Sequence, residues 1–387
     1  MTEIVRARRF EPMTLNILHC LRAPVGGLFR HVIDLATAQA AAGHRVGVVC
    51  AASGDALTEA RLLAFAPRLR LGLHRLPMSR DLGFGDVRAW HQVVELARTM
   101  ELDVLHGHGA KGGAYARLAK RSVRQKRPDL RCFYTPHGGS LHYPRTTAKG
   151  QFFGALERRL EAWTDGILFE SRFAADRSAS QIGHPHCPTA VVVNGLLPAE
   201  FVAVVPDANA ADFIFVGELR HLKGVDVALD ALSRLPTPAT AVFVGDGPDA
   251  GQFKAQALKL GLADRVRFPG AMRAREAFAL GRVLLMPSRA ESLPYVVLEA
   301  IAAHLPVLAT DVGGIPEIIP SQFGPLLPPG DAAALAAAML DALENPTALI
   351  AKAAGLRHAI ADKFTVSAMA DAITAVYRGP GKAQMAA

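Results

Sequence analysis

The feature that most constrains this chain is a unit it repeats: a short apolar run, a stop made by Gly or Pro, and a longer segment with apolar residues at helical spacing. Leu15–Cys20 leads to Gly26-Gly27, Arg131–Pro136 to His137-Gly138-Gly139, Asp212–Val216 to Gly217, and Thr240–Val244 to Gly245-Asp246-Gly247. Between the first two runs, Leu28, Val32, Leu35 and Ala36 recur on one helical face, and Gly43 ends that helix before Arg45–Cys50. Runs this short and this apolar suit strands buried on both faces, and their alternation with helices predicts βαβ units. Such units make parallel sheets with right-handed crossovers, with ligand loops at the carboxyl ends of the strands. A chain of 387 residues exceeds one hydrophobic core. The α/β pattern therefore predicts two Rossmann-like, doubly wound domains facing across a cleft. Their expected bounds are 13–200 and 201–365, with a disordered lead over 1–12 and a closing helix (Val366–Tyr377) and frayed tail within 366–387.

Composition narrows the function. Half the residues are apolar and a fifth charged, as in soluble globular proteins. No run reaches the roughly 18 apolar residues of a membrane span, and the first residues lack the apolar core of a signal peptide, so a cytoplasmic location is expected. Cys20, Cys50, Cys132 and Cys187 show no C-x-x-C spacing and read as reduced packing residues. Positive charge is concentrated early: residues 1–200 hold 27 Lys and Arg against 17 Asp and Glu. The densest cluster, Arg117–Arg131, has no aromatic residue to stack on bases, which argues against nucleic acid. An anionic membrane surface is one use of that charge, making the protein peripheral on an inner membrane face. A solvated charged helix and loop is the other.

Gly26-Gly27 lets backbone N–H groups approach a phosphate, but it is not G-x-G-x-x-G and no suitably placed acid for a nicotinamide ribose follows the second strand, which argues against a dehydrogenase. Gly109–Gly113 reads as a further glycine turn. His106 and His108 are candidate metal ligands that lack a third partner nearby, and no metal is assigned. Lys223, just before a helix over Val225–Leu232, is placed as a point charge on phosphate. In Met286–Ile319 a strand end, a loop, a helix from Tyr295 to His304, a strand and a glycine turn follow in order, with Pro294 suited to the first helical turn. Glu291 falls in the loop and Glu299 in the helix. A carboxylate can hold a ribose diol and a helix N-terminus a pyrophosphate, so the pair fits the two ends of a nucleotide-sugar. A loop glutamate beside a solvated helical one is the alternative.

Glu291-Ser-Leu-Pro-Tyr-Val-Val-Leu-Glu299 resembles the Glu, seven residues, Glu signature of the retaining GT-B glycosyltransferases of family four (glycosyl transferases group 1). Gly26-Gly27, Thr135-Pro136-His137-Gly138 and Arg220…Lys223-Gly224 match that family in order, and the resemblance covers nearly the whole chain. It implies a GT-B fold with an acceptor-side first domain, a nucleotide-sugar-binding second domain and a last helix that crosses back onto the first. It places Glu291 beside the transferred sugar, Glu299 on the ribose, His137 near the sugar and β-phosphate, and Gly26, Gly27, Lys223 and Arg220 on the phosphates. Leu293 stands in the family's Glu-Ser-Phe position, and Met272 in the turn that grips the base through main-chain groups. Two residues depart from the pattern: Glu218 replaces an Arg whose charge Arg220 would supply, and Pro294 replaces a Gly. The implied reaction moves a hexose, with retention, from a nucleoside diphosphate sugar to a glycan or lipid-linked acceptor in lipopolysaccharide or exopolysaccharide biosynthesis. It requires no metal or other cofactor. A GT-B nucleotide-sugar epimerase and a non-catalytic scaffold subunit are the alternatives.

Overall fold

A computed structural model describes residues 14–53, 56–79, 83–138, 144–236 and 239–379. The expected lead, Arg80, Gly139 and residues 380–387 lie outside the described residues. The chain divides into two compact units, Met1–Thr135 with Arg159–Ile167, and Pro136–Arg158 with Leu168–Ala387.

In the first unit, β1 (Asn16–Leu21), β2 (Arg45–Cys50), β3 (Leu73–Arg75), β4 (Val104–His108) and β5 (Arg131–Thr135) are parallel strands in the order β3-β2-β1-β4-β5. Helices α1 (Gly26–Ala41), α2 (Ala56–Phe65), α3 (Phe84–Thr99) and α4 (Gly109–Val123) connect them. Strand side chains alternate between two cores. Leu18, Cys20 and Leu105 pack with Val93 and Ala116 of α3 and α4, whereas Val46, Val48 and Cys50 pack with Phe29 and Val32 of α1. Burial on both faces is what makes these strands read as continuous apolar runs. The division between units passes through α5 (Ala148–Glu161) and β6 (Gly166–Phe169), which precedes α6 (Arg172–Gln181) and β7 (Thr189–Val191).

Two sequence expectations change here. Gly109–Gly113 is no turn but the opening of α4. The reason is close packing: a Cβ on Gly113 would lie 2.3 Å from Cε2 of Tyr134, well inside van der Waals contact. In the space so gained, Arg117 lies over the Tyr134 ring at 3.9 Å from its centroid and is 1% exposed. Arg117 thus belongs to the core and not to a basic surface. Between Arg61 and Arg75 the chain forms the end of α2, a short 3₁₀ turn and β3.

The second unit holds the other sheet, built from β8 (Ala211–Val216), β9 (Ala241–Val244), β10 (Val266–Gly270), β11 (Gly281–Met286) and β12 (Val307–Ala309). All pairs are parallel and the order is β10-β9-β8-β11-β12. Its helices are α7 (Val225–Ser233), α8 (Ala250–Lys259), α9 (Ala274–Ala277), α10 (Tyr295–Ala302), α11 (Ile315–Ile318), α12 (Ala332–Glu344), α13 (Pro346–Ile360) and α14 (Val366–Arg378). One face of the sheet packs Phe213, Phe215 and Phe243 against Leu229 of α7, Phe253 of α8 and Met339 of α12. The other packs Ile214, Val216 and Leu284 against Ala300 of α10. Helix α10 stops two residues earlier than its apolar pattern suggested, and Pro294 caps it from outside instead of sitting in its first turn. Because β8 lies between β9 and β11, connections leave its two sides in opposite directions. The loops after β8 and β11 therefore open at the same end, where doubly wound sheets bind ligands. Those loops carry Lys223 and Glu291. Among the described residues, no helix is long and apolar enough to cross a membrane.

Candidate active site

The β11 loop is fixed from several directions. Oε1 of Glu291 accepts hydrogen bonds from Lys223 Nζ at 2.6 Å and from Ser288 Oγ at 2.7 Å. The Glu291 side chain is 7% exposed and that of Lys223 26%, so the carboxylate is largely desolvated and packed against a cation. Lys223 is carried there by a 3₁₀ turn, His221–Lys223. Arg289 stitches that turn to the Glu291 loop: its N–H donates to Leu222 O (2.9 Å), Nη1 to His221 O (2.6 Å), and the guanidinium grips Asp226 at 2.7 and 2.6 Å. Burial alone would raise the Asp226 pKa, but the Arg289 bonds and charge outweigh it and hold the carboxyl below its ordinary range.

Under the loop runs the turn after β12. Gly313 has φ +62°, and a Cβ there would sit 2.1 Å from Glu291 O, so this position admits no side chain. Gly314 N–H donates to Ser292 O at 2.6 Å and Asn194 Nδ2 to Leu293 O at 3.1 Å. Ser292 Oγ donates to Oε1 of Glu170 at 2.5 Å. Glu317 accepts from the N–H groups of Arg172 and Phe173, both at 2.9 Å, at the start of α6. These bonds surround a pocket of about 320 Å³ lined by Gly138, Phe173, Arg177, Glu291, Ser292 and Gly313, among others.

His137, beside the pocket residue Gly138, adopts φ +49°, a left-handed conformation that costs free energy for any residue but glycine. Strain of this kind concentrates at functional positions. Burial lowers the His137 pKa to about 3, so its imidazole is neutral at pH 7 and acts as a hydrogen-bonding group and not as a cation.

The remaining candidates are placed less centrally. Arg220 pairs with Glu218 at 3.2 Å, both side chains nearly half exposed. Glu299 lies on α10 and is half-buried. Leu293 is 5% exposed and packs with Met286 and Tyr295, with its carbonyl held by Asn194. Met272 follows β10 and leans on the core of its sheet. In the first unit, Gly26 and Gly27 are exposed and open α1, with Gly26 at φ +62°. His106 and His108 do have a third imidazole, that of His19 on the neighbouring strand β1, with ring nitrogens within 4.8 Å of one another. The three are buried and hydrogen-bonded: His19 Nδ1 to His108 Nε2 (3.0 Å), His19 Nε2 to Gln39 Oε1 (2.8 Å) and His106 Nε2 to Thr135 Oγ1 (2.9 Å). Burial lowers the His19 pKa to about 4, so this ring too is neutral.

Sequence reasoning did not single out Glu170, Ser292, Arg289 or Glu317. Glu170 alone left a signal, as an acid closing the apolar run Gly166–Phe169.

Comparison with known proteins gives the family. The family profile described as Glycosyltransferase Family 4 matches residues 25–199, and that described as Glycosyl transferases group 1 matches 210–345. A glycogen synthase of Mycobacterium tuberculosis is 30% identical, over 91% of this chain and 91% of its own. The chain belongs to glycosyltransferase family four. This family-four glycosyltransferase is also 23% identical to the phosphatidylinositol N-acetylglucosaminyltransferase gpi3 subunit of Schizosaccharomyces pombe, over 77% of the chain and 66% of the relative. Its fold is GT-B. Anabaena Alr3699/HepE, solved in complex with UDP-glucose, superposes with a TM-score of 0.79 at 20% identity, covering 95% of this chain and 100% of that one. WaaG, described as a glycosyltransferase involved in lipopolysaccharide biosynthesis, gives 0.71 at 22% identity, covering 94% and 100%. The enzyme is thus a glycosyltransferase drawing on a nucleotide-sugar donor.

Proposed function

We propose that this glycosyltransferase moves a hexose, with retention, from a nucleoside diphosphate sugar to a glycan or lipid-linked acceptor in lipopolysaccharide or exopolysaccharide biosynthesis. The observation that carries the reading is the buried Glu291 carboxylate, held by Lys223 at the wall of a sugar-sized pocket. As the bond to the leaving diphosphate stretches, positive charge grows on the sugar ring and negative charge on the phosphates. Catalysis then consists mainly of matching those charges. Glu291 faces the first and Lys223 the second, and Arg220 and the start of α10 add to the latter. Neutral His137 orients the sugar by hydrogen bonding. Two cations and a helix dipole supply the charge that a metal ion supplies elsewhere, so the reaction needs no metal. Glu299 takes the ribose hydroxyls, Gly26 and Gly27 offer N–H groups to the phosphates, and Leu293 and Met272 contribute main-chain contacts to sugar and base.

The complex of HepE with UDP-glucose makes that nucleotide-sugar the first donor to try, and the involvement of WaaG in lipopolysaccharide biosynthesis favours an envelope glycan as acceptor. The enzyme would then work in the cytoplasm, with the basic first 200 residues resting on an anionic inner membrane face. Salt-sensitive pelleting with anionic liposomes tests that location, and its absence removes it. Calorimetric titration with UDP, GDP and ADP, on wild type and on Glu299→Ala, tests the donor site. One nucleotide should bind well, and the substitution should weaken it. Failure of all three to bind overturns the reading. The anomeric configuration of the product, read by NMR, decides between retention and inversion.

A further inference from the structure

We propose that Glu170 and Ser292 form one positioning pair: Glu170 accepts the hydrogen bond of the Ser292 hydroxyl and so presents the lone pairs of Ser292 Oγ to the pocket as an acceptor for a hydroxyl of the transferred sugar. The proposal rests on the nucleotide-sugar reading of the pocket above.

Glu170 is an expensive residue where it stands. It follows the buried strand β6, is 3% exposed, and makes no ion pair with Lys, Arg or His among the described residues. Oε1 accepts the single bond from Ser292 Oγ, and Oε2 is buried with no hydrogen-bond partner among the described residues. A buried carboxylate held by one neutral donor costs stability, and a strand end of this kind is satisfied by an apolar residue. Its use is therefore sought in what it does to Ser292.

Ser292 lines the pocket next to Glu291. Its carbonyl is already held by Gly314 N–H, so Glu170 adds nothing to the backbone and acts on the hydroxyl alone. A serine hydroxyl has one proton and two lone pairs. With the proton committed to Glu170, only lone pairs remain to face a ligand. The carboxylate polarises that hydroxyl and strengthens it as an acceptor. A sugar presenting a hydroxyl there is bound. A sugar lacking it leaves a buried acceptor unpaired, the situation in which polar sites discriminate most strongly.

The test uses the full chain and the nucleotide that binds in the calorimetric titration, both as the free diphosphate and as its glucose conjugate. The quantity read is the gain in affinity that the glucose brings. In Ser292→Ala and Glu170→Leu this gain should fall by about tenfold, and the double variant should lose no more than either single one. Affinity for the free diphosphate and the melting temperature of Ser292→Ala should stay near wild type. Glu170→Gln keeps an acceptor oxygen for the Ser292 proton, so it should restore most of the gain and thereby separate positioning from a packing defect in Glu170→Leu. The proposal is overturned if Ser292→Ala leaves the gain unchanged, if the two substitutions add independently, or if Glu170→Gln is as damaging as Glu170→Leu. Absence of nucleotide binding by wild type is a different result, because it removes the donor site itself.

Discussion

At the residue scale, the site brings a largely buried carboxylate, a lysine and a neutral imidazole into one unit. Glu291 accepts a hydrogen bond from Lys223 at 2.6 Å. Glu291→Gln preserves the shape and removes the charge, so kcat should fall by about 100-fold or more while affinity for the nucleoside diphosphate changes less than about twofold. Steady-state kinetics beside calorimetry would read both, and equal loss of the two would refute the assignment. His19 makes a prediction of opposite character. Its pKa is about 4 in the folded protein against an ordinary 6.5, so the unfolded chain takes up the proton first. Its neutral burial therefore contributes full stability above pH 6.5, and that contribution declines as pH falls toward 4, by about 3 kcal/mol in all. Denaturant melts at successive pH values should show this slope, and His19→Gln should flatten it. His137, lowered to about 3, should contribute no loss of kcat/KM near pH 6.5.

At the element scale, glycine has two different jobs here. Gly113 sits in α4 against the Tyr134 ring, so Gly113→Ala overpacks a rigid aromatic contact and should cost about 2 to 3 kcal/mol. Gly251 in α8 faces open space, and Gly251→Ala should be neutral or gain up to about 1 kcal/mol. Thermal melts of the two variants side by side would check the contrast. The same pair explains what the sequence could tell. Alternating apolar runs and helices were legible because the central strands β1, β2, β8, β9 and β11 are buried on both faces. Gly109–Gly113 was misread because a glycine needed for packing looks like one needed for a turn until Tyr134 is known to lie beside it. Lys223, Glu291 and His137 stood out because each follows a strand end. Glu170 and Ser292 did not, because what gives them meaning is a bond spanning 122 residues, and no local pattern encodes it.

At the scale of the whole molecule, the second unit is held by contacts between distant parts of the chain. Glu317 accepts from the N–H of Arg172, 145 residues earlier. Leu196 exchanges backbone bonds with Phe364 and Val366, at 2.9 and 3.0 Å, at the start of α14. Helix α12 contributes Leu335 and Met339 to the core beneath β8 and β9. A chain ending at Asp331 should therefore keep every pocket residue yet expose that core, and limited proteolysis should degrade it faster than the full chain. The bond between Leu196 and Phe364 has a further consequence, for the order of synthesis. On the ribosome, His137, Glu170, Lys223 and Glu291 are all made before the segment that closes their unit exists. The enzyme must carry an unsealed second unit through most of translation and complete it only as the last helix emerges.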